Sequence, residues 1–350
     1  MRNFDQSCDS SCEESCDTHF KKPTNPVSSS TMQNRLFTLK NYEFIKISGT
    51  DSVSFLQGQL SCNTELLSEQ RSLTGALCNL KGRVIADFRL LQQGEHYLMQ
   101  CAEGMAAEIV TTLNKYAVFS KVEITALPET DKTGDGKADS APAVLGIMDN
   151  DVDAALQSLE LQLPNNANEV TATDHCCVVR VFGPSKRVEL WFHSPSALES
   201  FSQGFAGQDS DDLQPWQRAD IEAGIIHVSP ALSAEYTPQL LNYDIAGLID
   251  FKKGCYTGQE IVARMFYRGT AKKRLHLASC SHTIGSSSAL VYGDKEGDRG
   301  EILAYSNSES DQPKLLAILP AEIDESAQPM QLSDQADAVI SILTLPYCSA

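Results

Sequence analysis

From Arg35 onward the apolar residues arrive in short bursts cut by turns rich in glycine and aspartate. A chain patterned this way has to build its core from many short strands, with a few amphipathic helices laid against them. Leu36 to Ile47 reads as strand, rich in Phe, Tyr and Ile. Gly49-Thr50-Asp51 offers a turn and an N-cap, after which Val53, Leu56 and Leu60 share one helical face. Three strands, Leu73 to Asn79, Arg83 to Leu91 and His96 to Cys101, form a meander turning at Lys81-Gly82 and Gln93-Gly94. Met105 to Tyr116 reads as a helix that turns Ala106, Ile109, Val110 and Leu113 to the core. Val118 to Ile124 returns as a strand. These elements define a first α+β domain over residues 35–126.

A polar break over residues 127–143 follows. Its stretch Asp131 to Gly136 superficially matches an EF-hand loop, but the twelfth position is Pro142, where a bidentate glutamate is required. It reads as a surface loop. A second α+β domain spans residues 144–270, free to interleave with the first. It has Val144 to Met148 as strand, Val152 to Leu159 as helix, and a hairpin across Gly183-Pro184-Ser185-Lys186. Over 271–350 short strands alternate with Gly/Asp turns and close on Ala338 to Leu345, the pattern of a small β-barrel. No repeat of 20 to 50 residues stands out.

Charge and cysteine usage narrow the function classes. A formal net charge of −18 argues against a surface for phosphate backbones, so no direct nucleic-acid binding is expected. A local group of Lys252, Lys253, Lys272, Lys273 and Arg274 could still draw a small anion. No apolar run approaches the roughly 20 residues of a membrane span. The first residues carry Asp5, Asp9, Glu13, Glu14 and Asp17 and no apolar export region, so a cytoplasmic location is expected. Eleven cysteines, an odd number, fit reduced thiols better than a disulfide framework. Cys8, Cys12 and Cys16 would share a face if helical, but no fourth ligand is near. Residues 1–34 therefore read as a polar, disordered tail, and no metal site is assigned. Cys176 and Cys177 open an apolar run and read as strand residues.

The segment with most chemical content runs from Asp250 through Arg264. Glycines frame Cys255-Tyr256-Thr257, so the backbone there can take positive φ or approach a ligand closely. Gln259 or Glu260 is placed to open a helix, with Arg264 one turn beyond Glu260. Lys252 and Lys253 before Cys255 and a helix start after it would both favour a thiolate. Cys255 is thus a candidate reactive thiol. A glycine-rich turn holding a small buried cysteine fits the same residues.

Lys253-Gly254-Cys255-Tyr256-Thr257-Gly258-Gln259-Glu260 with Arg264 matches the signature K-G-C-Y-x-G-Q-E-x-x-x-R, and the chain resembles the YgfZ family of folate-binding proteins. Further blocks resemble the same family. They are Gly49-Thr50-Asp51-Ser52 with Gln57-Gly58-Gln59, Lys115 through Val122, and Trp216 through Gly224, so the likeness runs roughly from Arg35 to Tyr347. It implies a scaffold shared with the glycine-cleavage T protein, an aminomethyltransferase that uses tetrahydrofolate. That fold is α+β, with three domains around a central pocket and a C-terminal β-barrel. A flat pterin ring wants aromatic walls and a carboxylate for its N–H donors. By the resemblance Glu222 would take the pterin edge, Trp216 would lie near the folate, and Tyr42 would replace a tryptophan in the wall. The T-protein motif N-x-x-G-G-I-x-D-D-L falls here on Asn79 to Phe88, with Arg83 for the second glycine, Ala86 for the first acid and Asp87 retained. The loss of one acid favours a folate-binding accessory factor over an aminomethyltransferase. Its expected partners are iron–sulfur proteins or their assembly machinery, and through them tRNA modification.

Overall fold

The computed structural model describes residues 34–128, 140–205, 207–292, 299–308, 311–323 and 330–348. The chain begins with β1 (Asn34–Thr38) and β2 (Tyr42–Ser48), then α1 (Ser52–Gln57). The meander is β3 (Leu73–Cys78), β4 (Val84–Gln93) and β5 (His96–Ala102), with α2 (Ala106–Asn114) and β6 (Glu123–Leu127) after it. Strands β2 to β6 form one antiparallel sheet in the order β3-β4-β5-β2-β6. Next come β7 (Ala143–Met148), α3 (Asn150–Ser158), β8 (Val170–Ala172), β9 (Cys176–Val181), β10 (Arg187–Phe192), α4 (Pro195–Gly204) and β11 (Gly207–Ser210). With β1 they form a second sheet, in the order β11-β1-β7-β10-β9-β8. The first strand of the chain thus pairs with β7 and β11 of the later segment, so the two α+β regions interleave.

After α5 (Gln214–Glu222) a long irregular stretch leads to α6 (Gln259–Arg268). A third, six-stranded sheet closes the chain: β12 (Lys273–Cys280), β13 (Leu290–Val291), β14 (Arg299–Ser306), β15 (Lys314–Pro320), β16 (Gln331–Leu332) and β17 (Ile340–Leu343). Its order is β16-β13-β14-β15-β12-β17. No ladder joins the edge strands β16 and β17 among the described residues, although Ile340 N–H reaches Met330 O at 3.4 Å. A half-barrel sheet stands where a barrel was expected.

The period of two along each strand sorts the core into layers. On the first sheet Ile45, Ile47, Phe88, Leu90 and Met99 turn outward onto α1 and α2. On the second, Val178, Val188, Leu190 and Phe192 turn outward onto α3 and α4. The remaining faces meet each other, with Phe44 edge-on to Trp191 at 5.4 Å and Val179, Leu91 and Leu98 in the same seam.

Two local expectations are corrected. Helix α1 ends at Gln57, one turn early, and Leu60 instead bridges Leu77 of β3. Val118 and Phe119 lie in a 3-10 turn, 74% and 98% exposed, and the strand starts only at Glu123. The reason is Asp51. Its N–H donates to Lys121 O, and its carboxylate accepts from Lys121 N–H at 2.7 Å, so this backbone is withdrawn from any ladder. The same bond leaves the start of α1 without a side-chain cap. The 131–136 loop and the Cys8, Cys12, Cys16 tail lie outside the described residues.

Trp216 of α5 fills the seam beside β7, and its ring lies over Gly146, where a Cβ would sit 2.6 Å from the indole. Gly146→Ala is expected to force the tryptophan or the strand to move, costing about 1–3 kcal/mol in urea unfolding.

Candidate functional site

The faces that meet in the seam are not wholly apolar. On β4 the inward positions carry Asp87 and Arg89, and on β10 they carry Arg187 and Glu189, all buried. Buried charges persist only when paired. Arg89 Nε lies 3.4 Å from Glu189 Oε2, and Arg187 Nη1 donates to Asp220 Oδ1 of α5 at 2.7 Å. Glu189 also accepts from Trp191 Nε1 at 3.0 Å, and Arg89 Nη1 donates to Asn168 Oδ1 at 2.7 Å.

His227 links the two pairs. Its Nδ1 is 2.9 Å from Asp87 Oδ2, and its Nε2 is 3.1 Å from the Tyr42 hydroxyl and 3.7 Å from Asp220 Oδ2. The other Asp87 oxygen accepts the Val228 N–H at 2.6 Å. Burial alone would lower the imidazole pKa, but Asp87 and Asp220 override it and push the group up to about 10. At neutral pH His227 is an imidazolium. Burial opposes ionisation of Asp220, yet Arg187 and His227 hold its carboxyl below the usual range. Burial, with Asp220 and Glu189 nearby, keeps the Tyr42 phenol protonated. The cluster therefore balances three anions (Asp87, Glu189, Asp220) against three cations (Arg89, Arg187, His227).

Tyr42, Asp87, Arg89, Glu189, Asp220 and His227 line a cavity of about 120 Å³ between the sheets. Tyr42, Phe182, Tyr243 and Tyr347 supply aromatic wall, and Gln100 of β5 adds a buried amide whose Nε2 has no hydrogen-bond partner. A wider groove of about 1240 Å³ lies nearby, along Lys46, Thr173 and Ser194. It is more open, and Lys46, Glu69 and Asp174 stand along it. Its Cys177 Sγ lies 3.3 Å from His193 Nε2, but burial pushes that thiol up to about 11, leaving it protonated.

Of the residues singled out in sequence, Tyr42 and Asp87 line the cavity. Trp216 and Glu222 do not. Trp216 is 1% exposed, with the Arg187 guanidinium 4.9 Å from its ring centroid, so it supports the cluster from behind. Glu222 pairs with Arg218 at 3.1 Å, on the side of α5 where Arg218 also donates to Gln312 O. The helical period explains the exchange, because Asp220 occupies the inward position on the same helix. Ala86 faces the opposite core, and Arg83 donates to Glu235 O.

The signature segment stands apart from the cavity lining. Lys253 is buried and its Nζ donates to the carbonyls of Gln57, Leu60 and Cys62 at 2.6–2.8 Å, tying the segment to the loop after α1. Burial brings this ammonium down to about 8, which leaves it charged at neutral pH. Arg274 is likewise taken, by a bidentate pair with Asp244, so neither cation serves the anion patch that the sequence suggested. Gly258, at φ 84°, packs so tightly on Asn79 O that a Cβ would lie 2.4 Å from it. Tyr256 is buried in the core with Val262, while Gly254 and Cys255 are exposed. Gln259 opens α6 and reaches Gly254 O at 3.5 Å, and Glu260 pairs with Arg264 at 2.6 Å. The described cysteines are all free, and burial pushes Cys62 and Cys78 up to about 12. Cys255 and Cys348 are the exposed thiols among them.

Sequence reasoning missed Arg89, Gln100, Arg187, Glu189, Asp220 and His227. A signal was present. Val84 to Leu91 and Arg187 to Phe192 are apolar strands with charges at alternate positions, which puts charge on one face of a buried strand.

No family model matches the chain. Among solved structures, the crystal structure of glycine cleavage system aminomethyltransferase T from Bartonella henselae is similar at a TM-score of 0.70. The match covers 90% of this chain and 86% of that one at 16% identity. The chain has the aminomethyltransferase T fold. Among the described residues no group of three or more His, Cys, Asp or Glu could hold a metal ion, and no helix is long and apolar enough to cross a membrane.

Two predictions follow from these contacts. The folded pKa of His227, about 10, lies above its ordinary 6.5, so its stabilisation is complete below pH 6.5 and is lost as pH rises through 10. The stability gap between wild type and His227→Asn, measured in urea, should be widest near pH 6 and should close toward pH 10. Lys253→Met leaves three carbonyls unpaired and is expected to cost about 3 kcal/mol or more. Lys253→Arg should not rescue it, since a planar fork cannot reproduce a three-way ammonium.

Proposed function

We propose that this chain binds a reduced folate in the cavity between its two sheets and serves as a cytoplasmic accessory factor for iron–sulfur enzymes, and through them for tRNA modification. The observation that carries the reading is the state of Asp87. A general acid or base must reach the proton it moves. Both Asp87 oxygens are already engaged, one by His227 and one by the Val228 N–H. The acid expected to drive aminomethyl transfer is thus committed to an ion pair, while the signature thiol Cys255 is exposed to a partner.

The cavity suits a pterin. At roughly 10–15 Å³ per water-sized position, its volume of about 120 Å³ holds around ten such positions, the scale of a fused bicyclic ring. Tyr42 and Tyr243 offer flat apolar walls, and Asp220 and Glu189 offer the carboxylates that Glu222 was expected to supply. Gln100 offers a donor in want of an acceptor. When bound, tetrahydrofolate supplies a carrier for one-carbon units. These residues orient its ring and keep water from it. The acidic chain, at −18, favours a link to tRNA through modifying enzymes over direct RNA contact.

The second reading, a folate-dependent aminomethyltransferase, is favoured by one observation: Asp87 does line the cavity. Complementation of a strain lacking the protein separates the two, scored by the activity of an iron–sulfur-dependent tRNA-modifying enzyme. The accessory reading expects Cys255→Ala to abolish support with folate affinity nearly unchanged. It expects Asp87→Asn, which takes a counter-charge from His227 and lowers stability, to retain support in any preparation that circular dichroism shows folded. Full rescue by Cys255→Ala together with failure of a folded Asp87→Asn would sink it.

A further inference from the structure

Gln100 sits on β5, in the middle of the first sheet, with 4% of its surface exposed and its Nε2 unpaired. Folded chains rarely leave a buried amide hydrogen without an acceptor, and an exception calls for something that completes it. Its direct partner across the ladder is Arg89, so the two side chains lie together on the cavity face. Arg89 Nε is also without a hydrogen bond, its 3.4 Å approach to Glu189 being too poorly aligned to count as one. A guanidinium has donors only, so it cannot accept the Gln100 hydrogens however the amide is turned. Both residues line the cavity, and what their unpaired N–H groups lack is an acceptor.

The charge balance selects the kind of acceptor. Two buried cations and the half-buried His227 already meet three buried anions around the cavity. A ligand carboxylate placed here would add a buried charge with no counter-ion, which is costly. A neutral carbonyl adds none. We infer that Gln100, backed by Arg89, forms a donor subsite that reads the 4-oxo group of a reduced pteridine and rejects a 4-amino group in its place. The inference rests on the folate reading and adds to it the ring orientation and the substituent at C4 that the site accepts. A 4-amino group would turn its own hydrogens toward Gln100 and Arg89, setting donor against donor. A site built to bond one polar group discriminates strongly against an analogue that leaves it unpaired.

The test is an anaerobic titration of the full chain with tetrahydrofolate and with 4-amino-4-deoxytetrahydrofolate, read by calorimetry. Wild type should bind the 4-oxo compound at least about tenfold more tightly. Gln100→Leu should weaken the 4-oxo compound by about tenfold and leave the 4-amino compound nearly unaffected. Gln100→Glu, which offers acceptors, should remove or reverse the preference. Circular dichroism checks each variant, and the wild-type comparison stands even if neither variant folds. Equal affinity of wild type for the two compounds overturns the subsite and leaves the folate reading intact. A preference that survives Gln100→Leu also overturns it, by assigning the carbonyl to another group. Binding of neither compound to wild type overturns the folate reading and the subsite with it.

Discussion

The five buried charges and the half-buried His227 between the two sheets are the constraint on which the rest of this structure depends. Each of Asp87, Arg89, Arg187, Glu189, Asp220 and His227 is tolerable only because an opposite charge stands within 4 Å of it. Removing one partner from a buried pair costs about 3–5 kcal/mol, because the other is left desolvated and alone. The network also fixes register. A slip of one residue on β4 or β10 would turn Asp87 and Arg89, or Arg187 and Glu189, into the outer layers packed by helices. An apolar seam would hold the sheets more cheaply but would not specify their alignment or leave a polar cavity between them.

A second set of bonds ties the signature segment to the first sheet. Lys253 gathers three carbonyls of the loop after α1, Gly258 lies against Asn79 O, and the Asn79 to Arg83 turn rests on Ile261 of α6 through Gly82. Most of the signature therefore has a packing reason, and Tyr256 and Val262 belong to the core they share with β12. What packing does not explain is Cys255, which these contacts hold at the surface between Gly254 and the turn at Gly258. A buried thiol in its place would resemble Cys78, inert because burial keeps its proton.

Much of the local structure was legible because its signals are local. The hairpin at Gly183 to Lys186, the meander, α2 and α6 each follow from residues within a dozen positions of one another. The errors came where a distant partner intervened. Leu60 fits the α1 face but bridges Leu77, and Val118 has strand character in a stretch whose backbone is taken up by Asp51. The cavity was legible only in part for the same reason. Asp87 and His227 are 140 residues apart, and nothing in either neighbourhood announces the other. Resemblance pointed to Trp216 and Glu222 on the right helix, but the inward turn belongs to Asp220, between them. Alternating charge on apolar strands was the available signal for Arg89 and Glu189.

The same network bears on how a cavity and a surface thiol could belong to one function. The cavity wall includes Tyr243, whose hydroxyl donates to Ile226 O at 2.7 Å, one residue before His227. Tyr243 packs in the same core as Tyr256 and Val262, which flank Cys255 and open α6. The cavity wall thus belongs to the same close-packed body as Tyr256, the residue after the exposed Cys255. Close-packed cores transmit displacement because they have few voids in which to lose it. A free carboxylate in the cavity would have made the site a place for proton transfer. A neutralised one, locked to an imidazolium and to a backbone N–H, has no free lone pair turned to the cavity for that purpose.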